Sequence, residues 1–156
     1  SMKFSTREDV EVPIAQAFDL ICDFDTYERS AMRRGAEVQR TDSLTKPGAG
    51  MKWRAAFKMR GKMRDIDIEM TRFDQPNEMC VLSSTSGIDG TGQIELVALS
   101  RNRTRISVEF ELKPTNLSAR LLVQSLKLAK GSLTKRYKLR VAEYAKSIEN
   151  RYKRGA

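Results

Sequence analysis

Histidine is absent from the 156 residues. That excludes histidine-based triads, imidazole general bases and His-containing metal sites. Cysteine occurs only as Cys22 and Cys80. Their spacing matches no metal motif, and they read as two reduced, buried thiols of a cytoplasmic protein. No apolar run approaches the ~20 residues that span a bilayer, and no basic-then-apolar signal segment opens the sequence. Repeats, low-complexity tracts and linkers are also missing, so residues 2–156 read as one domain, with Ser1 set aside as a remnant of tag removal. Acidic residues nearly vanish at the end. Residues 113–156 hold 12 Lys and Arg against only Glu143 and Glu149, so the net charge of +9 resides there. Such a face suits an anionic partner, or simply a solvated helix.

What is present suffices for a core. At 17.7 kDa, size scaling gives roughly 8,000 Å² of folded surface, with about two-thirds of the chain's surface buried. Residues 3–12 read as a strand, and Pro13 suits the first turn of a helix that carries Ile14, Ala17, Phe18 and Ile21 at helical spacing. A second short helix is expected over 26–33, ending at Gly35. Strands follow over 36–44, 51–60, 63–73, 79–86, 92–100 and 104–113.

The clearest hairpin joins 51–60 to 63–73. With Gly61-Lys62 as its turn, Lys58 faces Asp65 and Arg54 faces Glu69 on a charged side, while Trp53 meets Met70, Ala55 meets Ile68 and Phe57 meets Ile66 on an apolar side. A loop at 101–103 would likewise pair Leu96 with Val108 and Ile94 with Phe110. After Pro114, Asn116 or Ser118 can cap one long helix reaching Tyr152, with Leu122, Leu126, Ala129, Leu133, Tyr137, Val141, Tyr144 and Ile148 on its apolar stripe. Lys127, Lys130, Lys135, Lys138 and Lys146 fall on its far side, as does Gly131, where it could bend. The expected architecture is α+β: a seven-stranded curved antiparallel sheet wrapped around a long C-terminal helix, with two short helices after the first strand. A bent sheet gripping a helix leaves room for an internal cavity.

The stretch Val10-Glu-Val-Pro-Ile-Ala-Gln-Ala-Phe-Asp-Leu-Ile-Cys-Asp-Phe-Asp-Thr-Tyr27 resembles the opening of the START-like (SRPBCC) superfamily, in its polyketide cyclase/dehydrase branch, and Gly48-Ala-Gly50-Met-Lys-Trp53 resembles that family's glycine turn. The resemblance implies a helix-grip fold with a cavity for lipids, polyketides, quinones or other apolar molecules. Phe18 stands where that family often has tryptophan, and any histidine-dependent mechanism cannot carry over.

The expected cavity wall takes Phe24 and Tyr27 from the short helices, with Met32 near the mouth. The strands contribute Trp53, Phe57, Ile68, Met70, Leu82, Ser84, Leu96 and Phe110, and the long helix contributes Leu133, Tyr137 and Arg140. Arg140 is either an anchor for an acidic ligand group or a side chain reaching solvent. Asp65, Asp67 and Glu69 read as a structural charge ladder rather than an acid–base pair. No catalytic residue, metal or cofactor is assigned. Three functions fit: binding or transport of a small hydrophobic ligand, a cyclase/dehydratase-type enzyme relying on positioning, and docking to an anionic surface through residues 113–156. No strong nucleic-acid motif is present.

Overall fold

The computed structural model describes residues 1–59 and 61–155. Arg60, expected to end a strand, and the terminal Ala156 lie outside them. The chain runs β1 (Met2–Val10), α1 (Ile14–Ile21), α2 (Phe24–Arg33), β2 (Glu37–Arg40), β3 (Lys52–Met59), β4 (Lys62–Asp74), β5 (Glu78–Thr85), β6 (Ile88–Ser100), β7 (Arg103–Pro114), α3 (Leu117–Lys127) and α4 (Lys130–Gly155). Seven antiparallel strands form one sheet in the order β1-β7-β6-β5-β4-β3-β2. The α+β arrangement read from the sequence is the one observed.

Pro13 stands at the N-cap of α1, and Ala17, Phe18 and Ile21 are buried. Behind it, the buried Thr104 hydroxyl donates to the Val12 carbonyl at 2.7 Å, tying β7 to the β1–α1 connection. This neighbourhood belongs to the main core, with Val10, Met51, Leu96, Ile106, Ala145 and Ile148.

Both expected hairpin registers move by two residues. Lys62, expected in the turn, pairs with Met59 as the first residue of β4, so Trp53 faces Ile68, Ala55 faces Ile66 and Phe57 faces Arg64. The ion pair is Arg54–Asp67 at 3.0 Å instead of Arg54–Glu69. In β6–β7, Ile94 pairs with Val108 and Leu96 with Ile106. A shift of two keeps every side chain on its face, so apolar patterning cannot distinguish the registers; turn geometry does. The loop expected at 87–91 shrinks to a turn around Ser86 and Gly87, both at positive φ (27° and 81°), and β6 begins at Ile88. β2 is shorter than expected, ending at Arg40.

The single C-terminal helix is two. Asn116 accepts a hydrogen bond from the Ala119 N–H at 2.8 Å and caps α3. The Leu128 and Ala129 N–H groups bond three residues back, to Ser125 and Leu126, and close α3 before α4 begins. Gly131, a weak helix former, lies just beyond the break. The break offsets the stripe: Ala129 is exposed, Ala119 and Val123 become the buried residues of α3, and Ala145 and Ile148 those of α4.

α3 lies on β7, whereas α4 lies on β1 and α1. A second core forms there, in which Met2, Phe4 and Val123 meet Phe110, Leu126, Leu133 and Tyr137. The helical roof is therefore filled at the β1–β7 side, while the concave wall of β3, β4 and β5 is left to short α2 and a few side chains of α4.

Candidate ligand-binding cavity

That division leaves a cavity of about 370 Å³. Its sheet wall comprises Val38 of β2, Trp53 and Ala55 of β3, Ile68 and Met70 of β4, Met79 and Val81 of β5 and Ile94 of β6. Its roof comprises Ile21, Phe24, Tyr27, Glu28, Ala31 and, from α4, Tyr144. Alternation along each strand points one apolar set inward, which is why the wall is nearly free of polar atoms.

Aromatic rings form a chain along the roof. Phe24 packs on Trp53 with ring centres 5.6 Å apart, Tyr27 stands edge-on to Phe24 at 6.0 Å, and Tyr144 lies 6.0 Å from Tyr27. The guanidinium of Arg40 sits 5.4 Å from the Trp53 ring centre, where the ring's negative face attracts it. Arg40 is itself held by Asp42, donating from Nε at 2.7 Å and from Nη2 at 2.6 Å. Asp42 also accepts from the Leu44 and Lys52 N–H groups, and these donors hold its carboxyl far below the usual carboxylate range.

The Tyr27 hydroxyl donates to the Ile21 carbonyl at 2.5 Å and is hydrogen-bonded to the Tyr144 hydroxyl. A hydroxyl has one hydrogen, so Tyr144 donates to Tyr27. Burial pushes both phenols above their ordinary value of 10.0. The N-terminal end of α2 is also tied to α4 by Arg151, which donates to Asp23 at 2.9 Å. Among the described residues of α2, none is fully buried.

Of the residues expected around the cavity, Phe24, Tyr27, Trp53, Ile68 and Met70 line it. The others lie elsewhere. Phe57, moved toward the hairpin tip by the register shift, borders a neighbouring depression with Ser30, Arg34 and Lys58. Leu82 and Ser84 are on the outer face, beside Asp67 and Glu69. The apolar residues of β5 fall on both parities, so alternation could not orient that strand; Met79 and Val81 point inward instead. Leu96 is sealed in the main core. Phe110, Leu133 and Tyr137 fill the second core, where the Tyr137 hydroxyl donates to the Val108 carbonyl at 2.8 Å and burial raises its pKa to about 12. Arg140 is exposed, on the solvent side of α4. Met32, expected near the mouth, is exposed as well.

Sequence reasoning missed Ile21, Glu28, Ala31, Val38, Ala55, Met79, Val81, Ile94 and Tyr144 as wall residues. Tyr144 lay on the expected stripe, and Val38 alternates correctly in its strand. Glu28 carried no apolar signal, and only its place one residue after Tyr27 on α2 could have found it. Among the described residues, no three His, Cys, Asp or Glu side chains converge as metal ligands. No described helix is long and apolar enough to cross a membrane.

No protein-family profile and no curated protein sequence matches the chain. Solved structures do. The Zhui aromatase/cyclase from Streptomyces sp. R1128 superposes with a TM-score of 0.64 at 11% identity, over 97% of this chain and 95% of that one. TTHA0849 from Thermus thermophilus gives 0.60 at 14% identity over 99% of both chains. A START superfamily protein from Mycobacterium smegmatis gives 0.53 at 12% identity, over 87% of this chain and 97% of that one. Identities this low carry the fold and not the activity. With its order of elements, its gripped terminal helix and these likenesses, the chain has the START-like, polyketide cyclase-like helix-grip fold.

Proposed function

We propose that this protein binds and carries a small hydrophobic molecule in the cavity between the sheet, α2 and α4. The observation that carries the reading is the cavity itself: about 370 Å³ with a wall that, among the described residues, is polar only at Tyr27, Glu28, Trp53 and Tyr144. Filling such a space with apolar side chains would stabilise the fold by about 1 kcal/mol per methylene, so an empty hollow is costly unless a ligand occupies it. α2 serves as the lid. It has no fully buried residue, and its links to α4 are the tyrosine pair and the Arg151–Asp23 bridge.

Catalysis of the cyclase/dehydratase type is the weaker reading. Arg140 is exposed and Tyr137 has given its hydroxyl to Val108, so neither reaches the cavity, and of the ionisable groups that line it Tyr27 and Tyr144 are bonded to each other. The test of carriage is fluorescence of the neutral dye N-phenyl-naphthylamine, displaced in turn by fatty alcohols, flavonoids and quinones. Saturable enhancement and displacement by at least one class are expected; no enhancement with any apolar dye contradicts the proposal.

A second role rests on a separate observation. Lys127, Lys130, Lys135, Lys138 and Lys146 are all exposed, together with Leu121, Leu128 and Leu139. This basic, partly apolar face suits docking to an anionic membrane surface. Sedimentation with phosphatidylserine vesicles should fall steeply as salt rises; indifference to the vesicles at low salt rejects the role.

A further inference from the structure

We infer that the molecule carried in the cavity bears a hydrogen-bond donor, a hydroxyl or an amine, and that Glu28 receives it. The inference rests on the cavity being a ligand site and goes on to name the ligand's polar chemistry.

It follows from counting hydrogens at the wall. The Tyr27 hydrogen is committed to the Ile21 carbonyl. The Tyr144 hydrogen is committed to Tyr27, because Tyr27 has none left to offer. Each phenol oxygen retains only accepting capacity. Glu28 lines the same cavity, and its Oε2 is buried without a hydrogen-bond partner. A carboxylate only accepts. Arg40 keeps N–H groups beyond the two it gives Asp42, but none of them is bonded to Glu28 Oε2. The one wall donor that makes no hydrogen bond among the described residues is the Trp53 indole N–H. Arg64, whose Nε is also buried and unpartnered, faces Phe57 closer to the hairpin tip and is not a wall residue.

Glu28 Oε2 is thus the one buried wall oxygen among the described residues without a partner, and neither tyrosine has a hydrogen to give it. An unsatisfied buried carboxylate oxygen costs free energy that a ligand hydroxyl or ammonium recovers. A ligand carboxylate would instead meet Glu28 as a like charge. Fatty acids are disfavoured, and alcohols, phenols and amines on an apolar body are favoured.

The experiment compares three molecules of one shape, para-octylphenol, para-octylanisole and para-octylbenzoate, as displacers of N-phenyl-naphthylamine at neutral pH. The phenol is expected to bind about tenfold more tightly than the anisole, the effect of one hydrogen bond to a charged acceptor, and the benzoate more weakly than either. Glu28→Gln keeps the shape and removes the charge. In it the benzoate should gain several-fold and the phenol preference should shrink, with an unchanged circular-dichroism spectrum and melting temperature as proof of an intact fold. Equal displacement by phenol and anisole in the unaltered protein, or a ranking led by the benzoate, overturns the inference while leaving the cavity a ligand site. Absence of dye binding to the unaltered protein removes both. Should Glu28→Gln lose the dye, the ranking in the unaltered protein decides alone.

Discussion

Tyr27 is the residue on which the cavity roof turns. It gives its hydrogen to the α1 carbonyl of Ile21 and receives one from Tyr144 of α4, so three helices meet at one oxygen. The two tyrosines are not equivalent. Tyr27→Phe strands both the Ile21 carbonyl and the Tyr144 hydroxyl, and should cost about 1–3 kcal/mol. Tyr144→Phe leaves the Tyr27–Ile21 bond intact and should cost about 1 kcal/mol or less. Urea denaturation of both variants checks the order, and equal costs would contradict the assigned direction of donation. Cys22 offers a second residue-scale check. Burial first, and the charge of Asp19 second, push its thiol from 9.0 up to about 11. The folded state thus favours the protonated thiol, and its contribution to stability is complete below pH 9 and fades as pH rises through about 11. Alkylation of Cys22 in the folded protein should be about a hundredfold slower than in urea at pH 8, because only the thiolate reacts. Residue identity was the least legible level of the sequence. Trp53 and Tyr27 announced themselves as aromatics on inward faces, whereas Glu28 is a charged residue whose role depends on what the helix lies against. Arg140 sat beside the expected stripe and turned outward, since an unpaired guanidinium is not buried.

Elements were more legible than their register. Alternation and helical spacing located all seven strands and both short helices, because burial of one face imposes those periods. Turns decided the rest. The β5–β6 turn shows how. Gly87 sits at φ 81°, and a Cβ there would collide with the side-chain amide of Asn116, the residue that caps α3. The Thr115 N–H also donates to the Gly87 carbonyl at 2.6 Å. The hairpin turn and the helix start are one packed unit. Asn116→Ala should cost about 1 kcal/mol, the usual effect of losing such a cap. Gly87→Ala should cost more, through both backbone strain and displacement of Asn116. The double variant should fall short of the sum, since Gly87→Ala has already spoiled the cap. Additive losses in thermal denaturation would show that the two features are independent. The break between α3 and α4 was not legible as a break. The apolar stripe continues through it on paper, and only the different surfaces that the halves cover, β7 and then β1, explain it.

The whole molecule has 9891 Å² of accessible surface, against roughly 8,000 Å² for a compact chain of its mass. Part of the excess is apolar, with Leu117, Leu121, Leu128 and Leu139 exposed along α3 and α4. The fold class and the existence of a cavity were legible because a curved sheet with one apolar face and too few helices to cover it has nowhere else to put the space. Which wall residues face that space was legible only for a minority, because it depends on where α4 stops filling the sheet and α2 takes over. The central claim, that the hollow under α2 holds a ligand, can be tested by filling it. Ala55 is buried on the cavity floor. In Ala55→Phe the ring would occupy the cavity, so titration with N-phenyl-naphthylamine should show affinity at least about tenfold weaker than in the unaltered protein, with a melting temperature equal or higher. Unchanged dye affinity in a folded Ala55→Phe protein would place the binding elsewhere and contradict the account.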